Sequence, residues 1–139
     1  MTRITDKIKE IDTFLHELNQ IVPSTLEDYR SNIEKKAACE RYVEKIMEAV
    51  TDLAFVVIKM KKLKIPEDDN NAFNILLENK IIDNALAVKL KSAKGMKNII
   101  SHQYGKVDDG IVFEVITEEL DGDVRDFMEK IKLLKQLTK

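Results

Sequence analysis

The N-terminal segment shows the clearest periodicity in the chain. Its apolar residues recur at alternating intervals of four and three, with charged residues between them. They are Ile4, Ile8, Ile11, Leu15, Leu18 and Val22. This spacing predicts an amphipathic helix that contributes one apolar stripe to a helical bundle. The helix is expected to end before Pro23, because a proline disfavours helical geometry in the residue that precedes it.

A second apolar stripe follows in a stretch that contains neither Gly nor Pro as far as Lys62. The sequence Ser24-Thr25-Leu26-Glu27 predicts a capping box at its start. A long helix with a bend or break near Ser31-Asn32 is expected from there on. The stripe consists of Tyr42, Ile46, Ala49, Val50, Leu53, Val57 and Met60.

The C-terminal half predicts further helices joined by short loops. Residues 65–70 form the one obvious long loop, and a short helix is expected over residues 72–77. Asp83 is a candidate cap for a helix that stops near Gly105. Segments 111–120 and 124–137 complete the pattern, with no internal repeat. We therefore predict a single domain over residues 1–139, an all-α up-down bundle of about five to six helices.

The composition supports an all-α fold. Gly and Pro together account for six of the 139 residues, where about 12 % is usual. So few turn residues leave little room for the tight turns of a β-sandwich or barrel. Charged residues make up 35 % and hydrophobic residues 44 %, which is enough for an apolar core and a charged surface.

Charge and hydropathy exclude several classes of partner. The formal net charge of −2 gives no global positive field that would draw the chain onto nucleic acid. The basic run 59–64 suits the negative end of a helix dipole; we interpret it as a solvated helix end, with a local RNA-contacting patch as the alternative. No apolar run approaches the ~20 residues that span a bilayer, and the first residues lack a secretion signal. A cytoplasmic protein is expected.

Cysteine and histidine use is sparse. Cys39 is the only cysteine, so the sequence predicts neither an intrachain disulfide nor a cysteine-based zinc site. His16 lies beside the first apolar stripe and is interpreted as an exposed or boundary residue. His102 differs, because polar and glycine residues surround it in the segment GMKNIISHQYGKVD, residues 95–108.

Helical geometry limits what the residues around His102 can do together. Asn98 and His102 are four residues apart and share a helix face. Lys97 and His102 are five apart, about 140° around the axis. They converge only if the helix unwinds near Ser101 or if a second chain completes the site. A glycine at position 105 would permit a helix to end there.

These residue types fit metal-independent RNA cleavage. In that reaction a base removes the ribose 2′-OH proton, a cation stabilises the phosphorane and an acid protonates the leaving oxygen. A histidine can act as base or acid near neutral pH. Because one chain supplies one suitable histidine, the chemistry favours a symmetric dimer with two His102 residues near the axis. A structural role for His102 as a helix C-cap is the alternative.

The same segment resembles the HepT-like branch of the HEPN superfamily, whose pattern is Arg-Asn-x-x-x-His-x-Tyr followed by Val-Asp. The resemblance extends upstream to residues 39–54, which are similar to that family's long second helix, and covers nearly the whole chain. It implies a dimeric α-helical bundle that acts as a toxin-type endoribonuclease without a cofactor or metal. It also implies a partner, a minimal nucleotidyltransferase antitoxin that transfers AMP to the motif tyrosine. By position, the resemblance makes His102 catalytic, Asn98 a polar partner and Tyr104 the modification site.

The chain departs from the family pattern at Lys97, which stands where the family has Arg. Arginine binds two phosphate oxygens through a planar fork, whereas lysine offers a point charge. Losing one such contact can reduce a rate on the order of 10²–10³-fold. Lys94, one turn earlier, is a candidate second phosphate ligand, although a solvated side chain is the favoured interpretation. Arg41 is expected either to reach the cleft or to pair with Glu44 or Glu40.

Two hypotheses follow. The first is an endoribonuclease toxin in which His102 is the acid or base, Lys97 the phosphate ligand and Asn98 an orienting residue, with Tyr104 as the switch. The second is a catalytically weak or inactive binding module that docks a nucleotidyltransferase and holds nucleotide or RNA, which the substitution at Lys97 favours. A plain assembly scaffold has no sequence feature of its own.

Overall fold

Helices form nearly all of the chain in this computed structural model, which describes the backbone of residues 2–102 and 104–137 and the side chains of 3–102 and 105–134. Seven α-helical segments occur within these ranges, and no strand does. They are α1 (Thr2–Ile21), α2 (Leu26–Ser31), α3 (Ile33–Met60), α4 (Asp69–Glu78), α5 (Asn84–His102), α6 (Asp109–Glu114) and α7 (Leu120–Leu137). The predicted all-α class is confirmed.

Cross-helix contacts show the up-down arrangement of the long helices. Near one end of the α1–α3 pair Lys7 Nζ lies 3.5 Å from an Asp52 oxygen, and near the other Tyr42 donates to Glu17 at 2.9 Å. As the residue number rises along α1 it falls along α3, so these helices are antiparallel. Asp12 and Asn19 of α1 contact α7 in the same antiparallel sense, through Arg125 and Asp121.

The apolar stripes form one core. Of the first stripe, Ile4, Ile11, Leu15 and Leu18 are buried. The helix α3 lies at the centre, since it packs against α1, α4 and α5. Phe73 of α4 and Phe127 of α7 meet edge to face with ring centroids 6.4 Å apart. The stripes predicted from periodicity therefore face one another, as burial of apolar surface requires.

Capping side chains set the helix starts. Asp83 accepts a hydrogen bond from Leu86 N–H at 2.8 Å, as predicted. Asn32 ends α2 and caps α3, which places the expected break at Ser31-Asn32. The predicted capping box at Ser24 is wrong by one residue, because Thr25 accepts from Asp28 N–H at 3.1 Å. Thr25 and Asp28 have the same spacing as Ser24 and Glu27, so the pattern alone fits both.

Two helices end in the same left-handed turn. Lys62 follows α3 with φ 57°, and Lys80 follows α4 with φ 60°. In each case the next amide bonds back to the helix, Leu63 N–H to Ile58 O at 3.0 Å and Ile81 N–H to Leu76 O at 2.9 Å. These are Schellman motifs with lysine at the position that glycine usually takes. That backbone conformation costs roughly 1–2 kcal/mol for a residue that has a Cβ.

The last helices form one continuous run. The helix α6 passes into α7 through a π-type turn over Val115–Glu119, so the seven segments make six helical units. The predicted interruption between segments 111–120 and 124–137 is wrong. Gly122 lies within α7 with negative φ, because a glycine weakens a helix by only about 1 kcal/mol and the surrounding packing offsets that cost.

Candidate active site

The helix α5 carries the polar motif to its C-terminal end without interruption. It runs from Asn84 to His102, so it does not unwind at Ser101. Asn98 and His102 are both exposed and lie on one outward face, as their spacing predicts. No other described residue forms a hydrogen bond with the His102 ring. The expected alternative of a C-cap role for His102 thus has no support in the described ranges.

Lys97 lies on the other side of α5, toward α3. Its side chain is 14 % exposed, and its Nζ is 3.9 Å from Glu48 Oε2. Since the helix is regular between Lys97 and His102, about 140° separates the two side chains around the axis. One chain therefore does not bring this cation and this imidazole to the same phosphate. Of the two conditions for convergence, only completion by a second chain is left.

A carboxylate of α3 connects the motif to Arg41. Ser101 donates a hydrogen bond to Glu44 Oε2 at 2.6 Å, and Arg41 lies 3.8 Å from the other Glu44 oxygen. The Arg41 side chain is 61 % exposed. The expected pairing of Arg41 with Glu44 on its own helix is therefore confirmed, and its reach into a cleft between two chains stays a prediction.

Glu44, Glu48 and Ser101 are site residues that were not predicted, since Glu44 was expected only as a partner of Arg41 and the other two had no assigned role. Glu44 contacts Ser101 and Glu48 contacts Lys97, so the two pairs have the register of antiparallel helices. A spacing of four residues on each helix was the available signal, because such residues share one face. That signal has meaning only once α3 is known to face α5.

Lys94 is held inside the structure. The residue is 8 % exposed, its Nζ pairs with Asp69 at 2.9 Å and it donates to Asn98 Oδ1 at 3.2 Å. The favoured interpretation as a solvated side chain is wrong, because Asp69 at the start of α4 covers it. The Asp69 carboxylate already neutralises the charge that a phosphate would need.

The Val-Asp end of the motif has a structural explanation. Asp108 accepts a hydrogen bond from Ile111 N–H at 3.1 Å and so caps α6. Val107 is half-buried against the core. Both residues fix the return of the chain after His102, in a segment that includes a short 3₁₀ turn over Tyr104–Lys106. The side chain of Tyr104, the predicted modification site, lies outside the described part.

The described ranges show neither a metal-binding cluster nor a reactive thiol. They contain no group of three or more His, Cys, Asp or Glu side chains that could hold a metal ion. Burial raises the pKa of the Cys39 thiol to about 11, which keeps it protonated and poorly nucleophilic at neutral pH. None of the helices in the described ranges is both long and apolar enough to cross a membrane.

Two nucleases are similar in sequence to this chain. An mRNA nuclease HepT of Shewanella oneidensis is 30 % identical over 90 residues, which are 65 % of this chain and 67 % of that protein. A tRNA nuclease HepT of Aphanizomenon flos-aquae is 25 % identical over 114 residues, or 82 % and 78 % of the two chains.

Solved structures share the fold. A tri-AMPylated Shewanella oneidensis HEPN toxin in complex with an MNT antitoxin superposes with a TM-score of 0.89 at 24 % identity, covering 96 % of this chain and 98 % of that one. The HEPN-like bundle predicted from the motif is therefore confirmed. The sequence profile described as Ribonuclease HepT-like matches residues 5–131, and the chain accordingly belongs to the HepT-like ribonuclease family.

Proposed function

We propose that this protein is a cytoplasmic, metal-independent endoribonuclease toxin whose active site is completed by a second copy of the chain. The observation that carries the proposal is that His102 and Lys97 lie on different sides of α5 in one chain. His102 is exposed on one side, while Lys97 lies against Glu48 on another. A homodimer that brings two α5 ends together supplies two imidazoles and the cations to one RNA strand.

The proposed reaction uses each group at a stated atom. One His102 accepts the proton of a ribose 2′-OH, and the 2′-oxygen attacks the adjacent phosphorus. Lys97 stabilises the charge on the phosphoryl oxygens, and Asn98 orients the phosphate. The second His102 donates a proton to the departing 5′-oxygen. The products are a 2′,3′-cyclic phosphate and a free 5′-hydroxyl, and no metal is consumed or required.

The proposed regulator is a minimal nucleotidyltransferase antitoxin. Support comes from family membership and from the similar Shewanella oneidensis HEPN toxin, which is tri-AMPylated and in complex with an MNT antitoxin. We assign Tyr104 as the acceptor in this chain, because it occupies the tyrosine position of the motif. AMP added there places negative charge two residues from His102, where the RNA phosphate would bind.

A specific observation favours a second candidate function. Lys97 is 14 % exposed and already paired with Glu48, so its charge is less available to phosphate than that of a free arginine. With that contact intact, the protein would act as a binding module that docks the nucleotidyltransferase and holds nucleotide or RNA without cleaving it.

Cleavage in EDTA separates the two functions. The unmodified protein is incubated with a mixed RNA beside His102→Ala and the matched control His16→Ala. His16 is an exposed histidine on α1 whose ring contacts Gln20. The toxin proposal expects cyclic-phosphate products from the parent and His16→Ala and none from His102→Ala. Absence of cleavage by unmodified parent protein would favour the binding module.

Mixing tests the dimeric site. Coexpression of equal amounts of parent and His102→Ala chains gives mixed dimers. If both imidazoles are needed, activity per parent chain falls to about half, by random pairing of subunits. Unchanged activity per parent chain would show that each copy works alone.

Intact mass tests the modification. After coexpression with the nucleotidyltransferase, the parent is expected to gain the mass of one or more AMP units, and Tyr104→Phe is expected to gain none. An unshifted parent would contradict the assignment of Tyr104.

A further inference from the structure

A cleft with a basic rim lies between the start of α1 and the end of α3, away from the motif. Its volume is about 630 Å³. The cations around it are Arg3, Lys7, Lys59 and Lys62, and its single carboxylate is Asp52. Two of these lysines belong to the basic run 59–64, for which a solvated helix end was the expected role.

Three of the four cations have no acidic partner in the described ranges. Lys7 is neutralised, because its Nζ lies 3.0 Å from Glu10 and 3.5 Å from Asp52. No carboxylate of the described residues pairs with Arg3, Lys59 or Lys62, all of which are exposed. In a chain with a formal net charge of −2, this is a local concentration of uncompensated positive charge.

The walls of the cleft are apolar. Phe55 is half-buried there, together with Val56, Leu63 and Pro66. Ile65 at the rim is 84 % exposed. Cations alone would suit any anion, and apolar walls alone would suit any hydrophobic ligand. Cations around an accessible aromatic ring match single-stranded nucleic acid, whose phosphates pair with the charges while its bases stack on the ring.

Lys62 occupies a backbone position that favours glycine. Its φ is 57°, and Lys80 adopts nearly the same φ of 60° after α4. Both residues have the same cap geometry, but Lys62 lines the cleft and Lys80 does not. The pair therefore separates the backbone cost of a lysine from any benefit of its charge at the cleft.

The cleft lies in line with the motif along α3. Glu44 contacts Ser101, and Lys59 follows Glu44 by fifteen residues, which is about 22 Å of helix and roughly 60° of rotation. The two carboxylates between them are paired, Glu48 with Lys97 and Asp52 with Lys7. A strand that leaves His102 along this side of α3 consequently meets neutralised acids before it reaches the unpaired cations.

We infer that this cleft binds a single-stranded segment of the RNA substrate outside the cleaved bond. The inference rests on the proposed function, since it takes RNA as the substrate. Arg3, Lys59 and Lys62 contact phosphates, and Phe55 stacks on a base. The cleft strengthens binding of RNA long enough to span both places, and it leaves the chemistry at His102 unchanged.

The first experiment measures binding of a labelled single-stranded RNA of about 12 nucleotides by fluorescence anisotropy, in the His102→Ala background so that the RNA stays intact. The paired variants are Lys62→Gly and Lys80→Gly. Both are expected to raise the melting temperature, because each relieves the same left-handed lysine. Only Lys62→Gly is expected to weaken binding. Equal affinities of the two variants would overturn the inference.

Salt dependence tests the role of charge. In Lys59→Gln/Lys62→Gln the slope of log affinity against log salt is expected to become shallower by about 1.4, at roughly 0.7 per lost phosphate contact. Affinity at low salt is expected to fall roughly tenfold. Phe55→Leu, which keeps an apolar side chain, is expected to weaken binding about fivefold or more through lost stacking. An unchanged slope would contradict phosphate contact at the cleft.

Substrate length separates failure of this inference from failure of the proposed function. With His102 intact, Lys59→Gln/Lys62→Gln is expected to cleave RNA of about four nucleotides like the parent and longer RNA with a higher KM. Cleavage of all lengths at parent KM would overturn the cleft assignment alone. Absence of binding and cleavage by the parent would overturn both. Competition by poly-glutamate as strong as that of RNA, unaffected by Phe55→Leu, would indicate an acidic protein ligand instead.

Discussion

The two sides of α5 use similar residues in opposite ways. On the inward side, Lys94 pairs with Asp69 at 2.9 Å and Ser101 donates to Glu44 at 2.6 Å. On the outward side, Asn98 and His102 are exposed, and Asn98 also accepts a hydrogen bond from Lys94 at 3.2 Å. The inward residues hold α5 against α3 and α4, and the outward residues are available to a ligand. One helix thus carries both the residues that anchor it and the residues that are available to a ligand, at different angles around its axis.

Lys97 lies with the inward residues, but its contact with α3 is looser than theirs. Its side chain is mostly covered, yet the 3.9 Å separation from Glu48 is too long for a tight charge-assisted hydrogen bond. Glu48 is itself half exposed. An incoming phosphate has therefore to compete with only a loose internal partner.

The largest expected effect comes from removing the charge of Lys97. Lys97→Gln keeps the length of the side chain approximately and removes its charge, so kcat/KM for RNA is expected to fall on the order of 10²–10³-fold. Lys97→Arg is expected to match or exceed the parent, because a guanidinium can contact two phosphate oxygens. Steady-state cleavage assays measure both variants. Parent-like cleavage by Lys97→Gln would place this lysine wholly with the inward anchor.

The next effect concerns stability on the inward side. Asp69→Asn leaves the buried Lys94 ammonium without its carboxylate, so the free energy of unfolding is expected to fall by about 2 kcal/mol. Breaking a fully buried ion pair costs ~3–5 kcal/mol, and the smaller value is expected here because Asp69 is partly exposed. Lys94→Met is expected to cost less, since water can reach the remaining carboxylate. Urea denaturation measures both.

The outward side supplies the control for that experiment. His102→Ala removes an exposed side chain that forms no hydrogen bond with another described residue, so it is expected to change the free energy of unfolding by no more than about 0.5 kcal/mol, as is usual for exposed positions. A loss of stability as large as that of Asp69→Asn would mean that the outward side also stabilises the fold.

Local patterns in the sequence were sufficient for much of the fold. The helix start at Asp83 and the break at Asn32 depend on short-range capping bonds, which the sequence displays directly. The placement of Thr25 rather than Ser24 and the continuous helix through Gly122 were not predictable in this way. Each depends on how the neighbouring helices pack, and local preferences of about 1 kcal/mol do not outweigh that packing.

The candidate site likewise has features that follow from local spacing and features that depend on packing. The shared face of Asn98 and His102 follows from helix geometry alone. The burial of Lys94 was not predictable, because it depends on Asp69, which lies 25 positions away in another helix. The contact of Glu44 with Ser101 joins residues 57 positions apart. Residue spacing defines which side chains share a face, and only the packed structure defines what that face meets.

A smaller effect tests adjacent residues on opposite sides of α5. Ser101→Ala removes the hydrogen bond to the mostly buried Glu44 carboxylate, and the free energy of unfolding is expected to fall by about 1 kcal/mol. Cleavage is expected to stay within a few-fold of the parent, whereas the neighbouring His102→Ala loses cleavage without this loss of stability. Thermal unfolding and cleavage assays on the same preparations give the comparison. Loss of cleavage in Ser101→Ala at unchanged stability would assign Ser101 to the reaction.

The smallest expected effect locates where the inward anchor ends. Glu40 lies one turn before Glu44 on α3, and no α5 side chain of the described residues pairs with it. Burial raises its pKa, Lys36 opposes that rise, and Asp109 and Glu44 add to it. A carboxyl whose folded pKa lies above its unfolded pKa destabilises the fold as pH rises through those values, because the folded state holds the proton more tightly.

Glu40→Gln is therefore expected to stabilise the protein at pH 7 by a few tenths of a kcal/mol, after allowance for solvent screening. The gain is expected to vanish below about pH 3, where the carboxyl is protonated in both states. Urea denaturation at the two pH values measures it, and a loss of stability at pH 7 would show that Glu40 belongs to the anchor after all.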